Sequence, residues 1–198
     1  MAAKRLRGDV YDPREGEWIF DSSALISLRI GGLLALVRGR FAGRAHLLAE
    51  VCEELDGGET GPEVRGTDWF TEEELEAAEH LTEYRDLRLR WGSEPGRDKG
   101  EAASLVLAGA RNHRIVVDDS LGYSVGRNEK GLCIMRMIDL VVAMVRAGWL
   151  SNQEAWEALR RMVDAGRTRL GVIPWGDLDD RRAFDQYCRR DHGFDRCF

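Results

Sequence analysis

The chain has 198 residues, 43% of them hydrophobic and 32% charged, with a net charge of −6 from 35 acids and 29 bases. These values exclude wholesale disorder and a surface built for non-specific nucleic-acid binding, although carboxylates gathered around a metal would themselves make the balance negative. The longest uncharged run, Ala102 to Ala110, is far shorter than the roughly 18 to 20 apolar residues of a membrane span. Met1-Ala-Ala-Lys-Arg is followed by no apolar segment of the secretory kind. The four cysteines at 52, 133, 188 and 197 form no CxxC pair and read as free thiols in a reducing cytoplasm.

Residues 1–16 are polar, carry Gly8, Pro13 and Gly16, and read as a loose arm ahead of the domain. Glu17-Trp-Ile-Phe-Asp21 is a short buried strand ending in an acid. Ser22 and Ser23 supply caps for a helix through Leu25, Ile26 and Leu28. Gly31-Gly32 interrupts it, and Leu33 to Val37 resumes. Ala45 to Ala49 is a second strand, and Val51 to Leu55 a helix closed by Asp56-Gly-Gly. Thr67 to Phe70 reads as a strand. Thr71-Glu-Glu-Glu74 has capping-box form and opens a helix through Leu75, Ala78 and Leu81. Leu87 and Trp91 belong to a further helix before the Gly/Pro break at 92–96. Asp98-Lys-Gly-Glu101 starts the apolar helix Ala102 to Ala110. Arg114 to Asp119 is a strand ending in two acids, and Leu132 to Met135 another. Met137 to Ala147 is a helix, and Ser151 caps the next, with Glu154 completing a capping box.

Strands alternating with helices predict an α/β fold: a central parallel sheet with helices on both faces and a ligand edge at the C-terminal ends of the strands. Asp21, Glu54, Glu101, Asp118 and Asp119 all fall at strand ends or helix starts, so they converge on that edge. Each acid alone is an ordinary cap or turn residue; the conjunction points to a divalent cation. Hard oxygen ligands without sulfur suit Mg²⁺ or Mn²⁺, which could polarise a phosphoryl group and supply a hydroxide.

Here a resemblance becomes specific. Trp18-Ile-Phe-Asp21-Ser-Ser-Ala-Leu-Ile26, Val51-Cys-Glu-Glu54-Leu55, Gly100-Glu101-Ala102 and Ile115-Val-Val-Asp118-Asp119 resemble, in order and spacing, the motifs of PIN domains, the metal-dependent ribonuclease fold of VapC-type toxins. Gly131-Leu-Cys-Ile and the helix ending Arg146-Ala-Gly-Trp-Leu-Ser151 resemble its closing elements. The resemblance spans about 17–165, departs at 56–97 and leaves 166–198 as a C-terminal extension. It implies that Asp21, Glu54, Glu101 and Asp119 hold the metal, with Asp118 an alternative or additional ligand and Ser22 or Ser23 bonded to a metal-bound water or neighbouring carboxylate. It further implies an RNA substrate, an antitoxin partner if the chain is a toxin, and a homodimer in which Leu140, Val141, Met144, Val145, Trp149 and Trp156 are partly buried.

Other features carry less. Cys188, His192 and Cys197 have the spacing of an incomplete zinc site. His46, His80 and His113 are scattered and give a catalytic triad no support. Arg160-Arg161, Arg181-Arg182 and Arg189-Arg190 lie among nearly as many acids and read as a solvated face before a phosphate-binding stripe. The competing readings are a PIN-like RNA- or protein-binding module with little or no catalysis, and a receiver domain. The second lacks a phospho-acceptor aspartate on a later strand.

Overall fold

A computed structural model describes residues 10–92, 98–166 and 180–189. Five strands, β1 (Trp18–Phe20), β2 (Ala45–Leu48), β3 (Phe70–Glu73), β4 (Arg114–Val117) and β5 (Ile134–Arg136), form one sheet in the order β3-β2-β1-β4-β5, every pair parallel. Trp18, Ile19 and Phe20 are all fully buried. Successive strand side chains point to opposite faces, so β1 must be covered on both. The fold is α/β with a central parallel sheet, as the sequence predicted.

The helices are α1 (Ser22–Ile30), α2 (Leu34–Phe41), α3 (Ala49–Asp56), α4 (Thr60–Arg65), α5 (Ala78–Trp91), α6 (Lys99–Arg111), α7 (Ser120–Ser124), α8 (Met137–Arg146), α9 (Asn152–Asp164) and α10 (Arg181–Arg189). A π-helical turn, Val125–Glu129, follows α7. α6 packs on β1, β2 and β4 and against α3 and α5, while α1, α8 and α9 pack on one another. Ser151 and Glu154 make the capping box predicted for α9.

The structure departs from the sequence reading in several places. Asp21, not Ser22 or Ser23, caps α1 by accepting from the Ala24 amide. Thr71 caps no helix: residues 70–73 pair with β2 from Ala45↔Phe70 to Leu48↔Glu73, and the backbone bonds offered by β2 outweigh a local cap. The helix begins at Ala78 and runs unbroken to Trp91. α4, α7 and α10 have no counterpart in the sequence reading; Pro62 of α4 falls in its first turn, where the missing N–H costs little.

Val10 and Tyr11, ahead of β1, are buried in the core. At the other end, α10 lies on α8 and α9, with Phe184 fully buried and its ring 5.5 Å from that of Trp156. Leu140, Val141 and Met144, expected at a dimer interface, are buried within the chain. Cys52 and Cys188 carry buried free thiols, but Cys133 is disulfide-bonded, so free thiols are not the rule. His192 and Cys197 lie outside the described residues. Among the described residues, no helix is long and apolar enough to cross a membrane.

Candidate active site

From β1 the chain crosses to β2 on one side, and from β4 it crosses to β5 on the other, so the switch in strand order lies between β1 and β4. Crevices at such points are where α/β sheets bind ligands. Asp21 follows β1 directly, and Asp118 and Asp119 follow β4.

A cleft of about 290 Å³ opens there, lined by Asp21, Ser22, Ser23, Glu54, Asp98, Glu101 and Asp119. Four of the five carboxylates expected from the sequence face it together. Asp118 is not among its walls. Among the described residues, none of the lining side chains carries positive charge.

Each acid is set by a different element. Asp21 is 2% exposed; one oxygen accepts from the Ala24 amide at 2.6 Å and the other from the Ser23 hydroxyl at 2.6 Å. Burial, with the charges of Asp118 and Glu54 behind it, outweighs those two bonds and pushes its carboxyl up to about 7. Glu54 joins three helices: it accepts from the Ser22 hydroxyl of α1 and, at 2.8 Å, from the Gly100 amide at the start of α6. A Cβ at Gly100 would lie 2.7 Å from the Glu54 carboxylate and 2.9 Å from Val51, so glycine permits this approach of α6 to α3.

Glu101, on the first turn of α6, is 9% exposed, and its Oε1 is buried with no hydrogen-bond partner. Burial first, then Asp21, Asp119, Asp98 and Glu54, push its carboxyl up to about 9. Asp119 caps the short helix α7, accepting from the Leu121 amide at 2.6 Å. Asp118 turns the other way and accepts from Ser27 at 2.6 Å.

Asp98 is the wall residue that sequence reasoning missed. It stands at the N-cap of α6 in a left-handed backbone conformation, φ 55°, one that aspartate tolerates better than most residues. Its signal was its place in Asp98-Lys-Gly-Glu, three residues before Glu101.

Among the described residues, no trio of His, Cys, Asp or Glu side chains stands arranged to hold a metal ion. The donor set nonetheless fits a hard divalent cation: it is all oxygen, it has no counter-charge among the described residues, and it includes the Oε1 of buried Glu101, which has no hydrogen-bond partner. Without a cation, burial and the neighbouring carboxylates favour the protonated forms of Asp21 and Glu101.

The histidines give a further surprise. His46 and His113 stack with ring centroids 4.7 Å apart. Each nitrogen of His46 lies 3.0 Å from a carboxylate oxygen, Nδ1 from Glu73 and Nε2 from Glu17. This group sits towards the opposite end of the sheet, where β1 and β4 begin. Of the paired arginines, Arg161 donates to the Gly31 carbonyl at 2.7 Å, a structural bond; Arg190 lies outside the described residues.

Compared with known families, residues 17–171 match the profile described as a PIN domain. No curated protein matches the chain.

Proposed function

The chain belongs to the PIN-domain family, a nuclease-type fold that generally uses divalent metals, and from that premise we propose that it is an Mg²⁺- or Mn²⁺-dependent endoribonuclease that hydrolyses phosphodiester bonds of RNA. The observation that carries this reading is the cleft at the β1/β4 switch point, where Asp21, Glu54, Glu101 and Asp119 meet with no cationic side chain among the described residues. In this reading those four hold the cation, and Asp98 adds negative charge at the rim. A cation so held would polarise the scissile phosphoryl group and lower the pKa of an attacking water. The protein's own part is to fix the carboxylates: Ser23 orients Asp21, and Ser22 with the Gly100 amide orients Glu54. The working compartment is the cytoplasm. The protein partners to seek are a cognate antitoxin, which would make the chain a toxin, and a second copy of itself.

A single-stranded RNA carrying a fluorophore and quencher tests the activity. Wild type is expected to cleave it in Mn²⁺ or Mg²⁺ and not in excess chelator; no cleavage under any of these conditions refutes the proposal. The alternative, a PIN-like RNA- or protein-binding module with little or no catalysis, is favoured by one observation, that no carboxylate trio among the described residues stands in a metal-holding arrangement. It predicts RNA retention on a filter without turnover and without metal dependence.

A further inference from the structure

We propose that Ser27 decides which of two adjacent aspartates serves the cleft: it holds Asp118 against α1 and leaves Asp119 as the carboxylate presented. This rests on reading the cleft as a metal centre. Asp118 and Asp119 follow the last residue of β4, and successive side chains on extended backbone point to opposite sides. One of the two must therefore turn away from the cleft, and nothing in the pair Asp-Asp says which.

The choice is made by α1. Ser23 and Ser27 are four residues apart, so they share a face of that helix. The Asp118 amide donates to the Ser23 hydroxyl at 3.3 Å, and the Ser27 hydroxyl donates to the Asp118 carboxylate at 2.6 Å. Backbone and side chain of one aspartate are thus held by two serines one turn apart. Ser27 is 1% exposed, so water is not at hand to replace that bond, and an O–H donated to a carboxylate is among the stronger hydrogen bonds. Asp119 is committed to the other side, where it caps α7 and lines the cleft. α1 also carries Ser22, bonded to Glu54, and Ser23, bonded to Asp21. Three serines of one helix each hold a different carboxylate, and Ser27 is the one whose carboxylate is kept out of the cleft.

Ser27 is a positioning residue, and its test reads metal binding directly. Free Mn²⁺ would be followed by electron paramagnetic resonance during titration of the full chain and of Asp118→Asn, Asp119→Asn and Ser27→Ala, with both Asn changes also placed on the Ser27→Ala background. Asn at 118 keeps an oxygen that Ser27 can donate to, and Ala at 27 suits a helix interior, so folding is expected to survive; circular dichroism checks this.

In the native background Asp119→Asn is expected to weaken Mn²⁺ binding by at least about tenfold and by clearly more than Asp118→Asn. With Ser27→Ala the gap is expected to narrow, because the Asp118 carboxylate loses the hydroxyl that holds it against α1. Equal losses from the two Asn variants in the native background, or a gap that Ser27→Ala leaves unchanged, would overturn the proposal while leaving the metal centre standing. A wild-type chain that takes up no Mn²⁺ would overturn the metal reading and the role of Ser27 with it.

Discussion

The two ends of one sheet treat carboxylates in opposite ways. Towards the start of β1 and β4, Glu17 shares His46 with Glu73, whose side chain reaches back from the end of β3, and Arg111 approaches Glu73 at 3.6 Å. Where β1 and β4 end, the hydrogen bonds of Asp21, Glu54 and Asp119 among the described residues come from hydroxyls and backbone amides, and one oxygen of Glu101 has no donor. The first arrangement is complete as it stands, since each acid has a basic neighbour. The second favours protonation of Asp21 and Glu101 in the absence of a cation. Charge compensation, more than the number of acids, separates a cluster that holds the fold together from one available to a ligand.

The sharpest way to break that contrast is to remove an acid from the cleft and compare it with an exposed neighbour outside it. Asp21→Asn is expected to lower Mn²⁺- or Mg²⁺-dependent RNA cleavage by about 100- to 1000-fold or more, with Glu101→Gln acting similarly. The near-isosteric amide still caps α1. Glu53→Gln, one residue before Glu54 and exposed, is expected to leave the rate within about twofold of wild type, within the range of a neutral surface change. Initial rates on a fluorogenic RNA check all three, and a fully active Asp21→Asn would erase the distinction between the two ends.

Titration separates them next. Asp21 and Glu101 hold their protons in the folded chain up to about 7 and about 9, whereas unfolded carboxyls release them near 4. Between those limits the folded state binds more protons, so metal-free stability falls as pH rises. Thermal melts from pH 5 to pH 9 in chelator are expected to show a loss on the order of a few kcal/mol. Glu101→Gln is expected to flatten the slope, and saturating Mn²⁺ to raise Tm more at pH 8 than at pH 6. A melting temperature that climbs with pH in the metal-free protein would contradict the protonated resting state.

Gly100→Ala probes the junction of α3 and α6. Its Cβ would crowd Glu54 and Val51, with an expected cost of about 1–3 kcal/mol and a loss of Mn²⁺ affinity, both readable by calorimetry. The smallest effect belongs to the other end. His46→Ala leaves Glu17 and Glu73 without their shared partner and is expected to cost about 1 kcal/mol in urea unfolding, with the cleavage rate unchanged. A loss of activity there would mean that the two ends are coupled.

The sequence made the site's geography legible because its signals are local. Trp-Ile-Phe and Ile-Val-Val are continuous apolar runs, which only strands covered on both faces need, and the acids stand next to them. Glu101 was readable from Gly100-Glu101 at the head of an apolar helix. Long-range pairing was not readable: residues 70–73 join β2 instead of opening a helix at Thr71 because of partners at 45–48. His46 and His113 meet although 67 positions separate them, and Asp118 is turned aside by a serine 91 residues away. Asp98 needed the left-handed backbone at the start of α6 before its side chain could be placed.

Phe184 has a practical corollary for anyone who shortens this protein. The family match ends at residue 171, which invites a boundary there, yet α10 lies beyond it and contributes Phe184 and Cys188 to the buried interior. Its Tyr187 carbonyl also accepts from Arg146 at 3.4 Å, and its Asp185 accepts from Asn152 at 2.9 Å. Burying a phenylalanine side chain is worth about 1.5–3 kcal/mol, a large share of the stability a single domain possesses. A chain trimmed to the homologous segment would uncover Trp156 and the adjoining faces of α8 and α9, the kind of contiguous apolar surface that drives association between copies. Self-association measured on such a fragment would therefore report the wound left by the cut, and any search for a natural dimer should keep α10 in place.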